Sequence, residues 1–212
     1  MCEINIRRLE NPTGDDIDAI AKILATAFAD DVFTLVCGGD ASKIYDFERA
    51  TVAAVALAGE IWVASYGDQD FASVALWIRP DRDLLDSPDQ HEAGFGQLFS
   101  SFKTELSQWW MTMFLPRYGE MNTEALGART KVENWNLQMV ATLPDLQRRG
   151  LASTLMKVVE DKAKAENKLI TLEVAEESNL AFYRHLGWKV VYGPEHFDAI
   201  EGLSFPMWIM TS

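Results

Sequence analysis

The sequence predicts an α/β chain, and three observations predict it. Two apolar strand-like runs, Trp135 to Leu143 and Leu169 to Ala175, are each followed by a segment with helical spacing. The first half carries a hairpin pattern, with Ile61 to Tyr66 and Phe71 to Ile78 joined across Gly67-Asp68-Gln69-Asp70. Amphipathic helices precede that hairpin and follow it.

Taken in order, Glu3 to Leu9 reads as an opening strand. Asp15 to Ala29 reads as a helix whose apolar side carries Ile17, Ile20, Ile23, Leu24 and Phe28, with Thr13 or Asp15 as its cap. A second helix is expected between Ser42 and Ala58, stopped by Gly59. The hairpin follows, then a polar, loop-like Asp81 to Gln90. From Phe95 to Thr130 the chain is helical and rich in large apolar residues, among them Phe99, Phe102, Leu106, Trp109, Trp110, Met113 and Phe114. Pro144-Asp145 ends the strand from Trp135, and a helix begins at Leu151 with Leu155, Val158, Val159 and Ala163 inward and Lys157, Glu160, Asp161 and Lys164 outward. The last helix carries Asn179 to Trp188. No internal repeat or low-complexity linker interrupts the 212 residues, so a single domain over 1–212 is expected.

With 48% hydrophobic residues the chain has enough apolar side chains for one substantial core. A formal net charge of −13 repels phosphate backbones and anionic lipid, which speaks against nucleic acid or membrane as a partner and favours a cationic small molecule or plain solubility. Cys2 and Cys37 are too few for a disulfide framework or a metal site, so no metal is expected and a reduced, cytoplasmic setting is. Neither end reads as a signal peptide, and the apolar run Thr51 to Ala58 is too short to span a bilayer.

The most telling stretch is Gln147-Arg148-Arg149-Gly150-Leu151-Ala152, between a strand and a helix. A tight loop entering a helix exposes backbone N–H groups and the positive end of the helix dipole, which together hold an anion. Gly150 and Ala152 keep the approach bare, and Arg148 and Arg149 add charge. Downstream, Asn179 and Tyr183 are four apart and share one helix face.

In spacing and order these two blocks resemble those of the GNAT N-acetyltransferases, with a layout similar to the puromycin N-acetyltransferase-like and fungal members. Ala152 stands where many members have glycine, and Arg148-Arg149 where Gly-Lys is common. The resemblance implies a mixed, mainly antiparallel central sheet of about seven strands flanked by helices, with a cofactor-binding core over about 134–192. It implies acetyl-CoA as cosubstrate, bound by Gln147, Arg148, Arg149, Gly150, Leu151, Ala152 and Ser153 at its diphosphate. Val140, Ala141 and Thr142 would meet the pantetheine arm where two strands splay, and Asn179 and Phe182 complete the cofactor contacts. For Val140 to Thr142, ordinary sheet pairing stands as the other reading, and for Asn179, capping of its helix.

Acetyl transfer to an amine needs the amine neutral and close, the carbonyl polarised and the leaving thiolate protonated. By resemblance Tyr183 is the acid, since a phenol with an ordinary pKa of about 10 stays protonated at neutral pH. Glu173 is the candidate base, its apolar neighbours Leu172 and Val174 acting to raise its pKa. Three readings of Glu173 remain open: a base working through water, a binder of the substrate ammonium, and a solvated strand carboxylate. Glu133, Asp31 and His91 are lesser candidates, and His185 lies off the Asn179/Tyr183 face. The aromatic middle region is the expected place of acceptor selection, with Phe102 and Trp109 assigned to packing and an unnamed subset to the substrate.

The resulting expectation is direct transfer from acetyl-CoA to a small primary amine, by a monomer or homodimer. A protein or peptide acetyltransferase and a non-catalytic acyl-CoA sensor are the competing readings. The former calls for an open acidic groove, the latter for binding without turnover. Pairing of copies through Leu203 to Met210 is a further open arrangement.

Overall fold

The computed structural model describes residues 3–29 and 32–212. Cys2, Asp30 and Asp31 lie outside the described residues, and with them the expectation for Asp31 as a base.

Strand β1 (Ile4–Leu9) leads into α1 (Gly14–Ala27), which opens with a capping box: Thr13 accepts from the Asp16 N–H, and Asp16 accepts from the Thr13 N–H. Helices α2 (Val32–Val36) and α3 (Ile44–Ala58) follow, then the hairpin of β2 (Gly59–Tyr66) and β3 (Gln69–Ile78). Its turn is shorter than the four residues expected, because β3 begins at Gln69 and only Gly67 and Asp68 are left to turn. Gly59 both ends α3 and starts β2, and a Cβ there would lie 1.8 Å from the Trp77 carbonyl oxygen. Close backbone approach to β3, not helix breaking alone, demands glycine at this position.

The polar loop ends in α4 (Pro88–Gln90) and a π-helical segment, His91–Phe95, followed by α5 (Gly96–Ser100) and α6 (Thr104–Trp109). A second π-helical segment, Trp110–Phe114, runs into α7 (Leu115–Leu126), and α8 (Thr130–Glu133) leads to β4 (Trp135–Thr142). Then come α9 (Leu151–Ala165), β5 (Ile170–Val174), α10 (Glu177–His185), β6 (Lys189–Asp198) and β7 (Ser204–Thr211).

Among the described residues the strands form one seven-stranded sheet in the order β1-β2-β3-β4-β5-β7-β6. Only β4 and β5 are parallel, joined by the crossover through α9, so the sheet is mixed and mainly antiparallel as expected. The period-2 alternation sorts side chains to two cores. Val74, Leu76 and Ile78 of β3 and Phe205, Met207 and Ile209 of β7 face α1, α3 and the aromatic helices. Ala75, Trp77, Trp208 and Met210 face α9 and α10, against Leu151, Leu155, Met156, Val159, Leu180 and Tyr183. Burial of both faces explains why these strands read as continuous apolar runs.

Two expectations are corrected here. β6 escaped the sequence reading: it is an edge strand with register shifts between Val190 and Glu195 around Gly193-Pro194, so its hydrophobic alternation is broken. β7, proposed above as a surface for pairing copies, lies inside the sheet with β5 on one edge and β6 on the other, leaving it no free ladder.

Candidate active site

β4 and β5 pair only over Trp135↔Ile170, Asn136↔Thr171 and Leu137↔Leu172. Beyond Leu137, β4 continues to Thr142 paired with β3 alone, and β5 continues to Val174 paired with β7 alone. The two strands therefore diverge, which decides between splaying and sheet pairing for Val140 to Thr142. The gap opens into a continuous cleft of about 1580 Å³ that runs from the start of α9 to the aromatic helices.

At one end the loop after β4 enters α9. Arg148 and Gly150 both adopt left-handed backbone, φ 62° and 82°, and Gly150 occupies the cap position of α9 with no side-chain hydrogen bond to the helix. The first backbone bond back to the cap comes from the Thr154 N–H to the Gly150 oxygen at 3.0 Å. The N–H groups of Leu151, Ala152 and Ser153 precede it, as in any helix start, and these residues line the cleft together with Gln147, Arg148 and Gly150. A Cβ on Gly150 would meet only Ser153 Oγ, at 3.8 Å, so glycine serves here through its positive φ and the open backbone it leaves. Gln147 is tied to the strand end by its Nε2, which donates to the Thr142 oxygen at 3.3 Å. Arg149 is the one expected cofactor residue outside the lining: it donates to the Tyr66 hydroxyl at 3.2 Å and stacks over that ring.

Val140, Ala141 and Thr142 line the middle of the cleft on one side, and Glu173, Asn179, Phe182 and Tyr183 on the other. Asn179 is not the cap of α10, since Glu176 holds that position, and its exposed side chain stands in the first turn. Tyr183 is 9% exposed and packs against Phe182 and Trp188, so it is a packed aromatic that also lines the cleft. Burial pushes its phenol well above the ordinary range, which keeps the proton on at neutral pH. His185, set aside in the sequence, also reaches the lining from the exposed end of α10.

Glu173 is not a solvated strand carboxylate: its side chain is 11% exposed and ion-paired with Lys131 Nζ at 2.9 Å. Asn136 Nδ2 donates to its other oxygen at 3.3 Å, and Lys131 donates to the Tyr118 hydroxyl at 2.6 Å. Burial alone pushes the Glu173 carboxyl up, as its apolar neighbours suggested. The Lys131 ammonium, with hydrogen bonding from Lys131, Asn136 and Tyr118, outweighs it and holds the carboxyl below the usual range. Sequence reasoning missed Lys131 and Tyr118 altogether. Glu133 instead pairs with Arg129 at 2.5 Å, and neither Glu133 nor His91 lines the cleft.

The far end is aromatic. Phe28, Phe33, Phe47, Phe95, Trp110 and Phe114 line it; Phe95, Trp110 and Phe114 come from the aromatic middle region, whereas Phe28, Phe33 and Phe47 come from earlier in the chain, where the sequence reading did not look. Trp110 is fixed by its Nε1 donating to the Val36 oxygen at 2.8 Å and packs edge-on to Phe114. Phe102 and Trp109 stay out of the lining, as expected, with Trp109 stacked on Phe114 and bonded to the Asp198 oxygen at 2.7 Å. Asn122 also lines the cleft, and its buried Oδ1 has no hydrogen-bond partner among the described residues. Cys37 is buried outside the lining, and desolvation pushes its thiol up to about 12, so it is protonated and inert.

A splayed mixed sheet, a bare helix start after β4 and the largely buried Glu173 and Tyr183 share one cleft, an arrangement that suits an acetyltransferase. The model of the acetyltransferase (GNAT) family matches residues 53–188, and the chain belongs to that family: it is an N-acetyltransferase. Its fold is similar to solved structures over nearly its whole length. One is described as histone acetyltransferase HPA2 and related acetyltransferase from Corynebacterium glutamicum, with 23% identity and a TM-score of 0.64 over 97% of this chain and 94% of that one. Another is arylalkylamine N-acetyltransferase 2 from Aedes aegypti, with 16% identity and a TM-score of 0.60 over 98% of each chain. A third is the polyamine N-acetyltransferase of Drosophila melanogaster, at 13% identity, TM-score 0.59, 98% of this chain and 99% of that one. No helix among the described residues is long and apolar enough to cross a membrane.

Proposed function

We propose that this chain transfers the acetyl group of acetyl-CoA directly to a primary amine whose body is apolar. The observation that carries this reading is the single cleft that joins the open start of α9 to an aromatic chamber across the gap between β4 and β5. The residues present suit acetyl-CoA: a bare left-handed glycine, backbone N–H groups at a helix start and Arg148 for the diphosphate, then strand backbone left unpaired on its β5 side for the pantetheine arm. Residues of about 134–192 would form this cofactor-binding core of a single acetyltransferase unit.

Acetyl-CoA, when bound, supplies an activated acyl carbon. The chain's residues then have three tasks. Glu173 takes a proton from the acceptor ammonium, leaving a lone pair on nitrogen that attacks the acyl carbon. As the C–N bond forms and the C–S bond breaks, Tyr183 gives its proton to the leaving sulfur, and the remaining proton on nitrogen restores the phenol through water. The aromatic chamber holds the acceptor body and excludes bulk water, which keeps the acyl carbon from hydrolysis.

Chamber chemistry favours an amine with a flat or apolar body over a polyamine or a basic peptide. The buried carboxylate there, Glu173, is already matched by Lys131; Asp83 and Glu176 are the other acids of the cleft lining, and the walls of the chamber itself are rings. Thiol release from acetyl-CoA, measured over arylalkylamines, polyamines, aminonucleosides and basic peptides with Tyr183→Phe alongside, tests this. Turnover concentrated on apolar monoamines and sharply reduced in the variant is the expected result. Turnover on peptides alone would overturn the acceptor assignment, and binding of acetyl-CoA without turnover on any amine would overturn the enzymatic one.

A further inference from the structure

Glu173 comes from β5 and Lys131 from α8, a four-residue helix just before β4. Both side chains are 11% exposed and both line the cleft, and their charged ends are 2.9 Å apart. Lys131 Nζ also donates to the hydroxyl of Tyr118, one turn into α7, at 2.6 Å. The carboxylate is held from a third side by Asn136 Nδ2, which at 3.2 Å also donates to Thr171 Oγ1. Side chains from the consecutive elements α7, α8 and β4 therefore gather at one carboxylate of β5, further along the chain. A buried ion pair of this kind is seldom worth its desolvation in stability alone, since well-packed apolar side chains would serve as well. Its position at the waist of the cleft, between cofactor cradle and aromatic chamber, points to a task in the reaction.

We propose that Lys131 is a positioning residue that holds Glu173 as the carboxylate which takes the acceptor's ammonium proton. This rests on the acetyl-transfer reading above. The N–H bond of the ammonium breaks with its electron pair staying on nitrogen, and the proton passes to a Glu173 oxygen and on to solvent. Without the Lys131 charge, burial would push the Glu173 carboxyl up and raise the pH below which it is protonated and cannot accept. Tyr118 fixes the ammonium in place, and Asp83 is the other charged group that acts on Lys131 and Tyr118. Facing Glu173 from β7 is Ile209, which carries no charge. Burial pulls the Lys131 ammonium down, but Glu173, Tyr118 and Asp83 outweigh it, so Lys131 stays charged across the working range.

The test pairs a readout in the ligand-free protein with one in turnover. Carbon-13 carboxyl titration by NMR should place Glu173 below the ordinary glutamate range in the parent chain. Lys131→Met should raise its midpoint by about one pH unit or more, and Lys131→Arg should bring it back. The acidic limb of kcat/KM should move by the same amount in each variant, and Glu173→Gln should abolish that limb. Circular dichroism melts identify any variant that fails to fold, in which case the charge-retaining arginine variant carries the comparison. An unmoved Glu173 midpoint in Lys131→Met overturns the holding role. A midpoint that moves while the limb stays put overturns Glu173 as the proton acceptor. Should no amine be a substrate, the titration still decides the holding role, so its failure is distinguishable from failure of the acetyl-transfer reading.

Discussion

In the proposed reaction Tyr183 and Gly150 would serve by opposite means, one through its proton and one through its lack of a side chain. Tyr183→Phe removes the proton donor and keeps the ring that packs on Phe182 and Trp188, so kcat should fall about 10² to 10⁴-fold with little change in thermal stability. Because burial raises its phenol, no loss of activity from Tyr183 ionisation is expected up to the ordinary tyrosine range, which a pH–rate profile above pH 8 checks. Gly150→Val forces a β-branched residue to φ 82°, a conformation that costs an L-residue roughly 1–2 kcal/mol. The loop relaxes rather than accept it, and KM for acetyl-CoA should rise about tenfold or more while kcat with saturating cofactor changes less. In the aromatic chamber, Phe33→Ala should raise the acceptor KM several-fold, whereas Trp109→Ala, outside the lining, should lower stability by about 3–5 kcal/mol instead. Steady-state kinetics and chemical denaturation separate the two.

At the scale of elements, helix α1 shows how far local rules reach. Its start was legible because Thr13 and Asp16 form a reciprocal cap within four residues of chain. Thr13→Ala should cost about 1 kcal/mol at neutral pH. The Thr13 side-chain and backbone hydrogen bonds lower the Asp16 carboxyl, so that part of the stabilisation is present above the unfolded value of 3.8 and is lost as pH falls through the lower folded value. Denaturation of parent and variant at pH 7 and near pH 2.5 should show the difference shrinking in acid. The proposed cradle before α9 was legible for the same reason, since Gln147 through Ser153 are contiguous and the tight loop into the helix is local to them. The ion pair of Lys131 with Glu173 was not, because α8 is a single turn with no periodicity to mark it, and its partners lie on α7 and β5. β6 was illegible for a different reason: an edge strand with a shifted register need not alternate. The identity of the chamber's rings depended on how α2, α3 and the second π-helical segment pack, which helical spacing does not encode.

For the molecule as a whole, the formal charge of −13 sets the approach of its two substrates against each other. A cationic amine is steered inward and an anionic cofactor is met by repulsion that Arg148 and the α9 dipole offset only locally. Raising ionic strength from 0.01 M to 1 M shortens the Debye length from about 30 Å to about 3 Å. KM for the amine should therefore rise and KM for acetyl-CoA fall over that range, and equal movement of both would show that net charge has no part in capture. The seven-stranded mixed sheet was legible through the resemblance of the two motif blocks, whereas β3 and β7, buried on both faces, read as continuous apolar runs that do not reveal which face meets which core. Splaying of β4 from β5 was not legible from the strands themselves, because no change of pattern in either marks where their pairing stops.

That parting gives the molecule the mechanics of a pair of shears. β1 to β4 form one blade and β5, β7 and β6 the other, riveted at Trp135, Asn136 and Leu137 against Ile170, Thr171 and Leu172. Beyond the rivet the backbone of one blade has no ladder to the other, so amides past Leu137 that point into the gap should exchange with solvent sooner than those of the paired stretch, which native-state hydrogen exchange checks. Whatever bridges them closes the circuit. A ligand at a hundred times its dissociation constant adds about 2.7 kcal/mol by mass action, and here that gain is delivered to the weakest seam in the sheet.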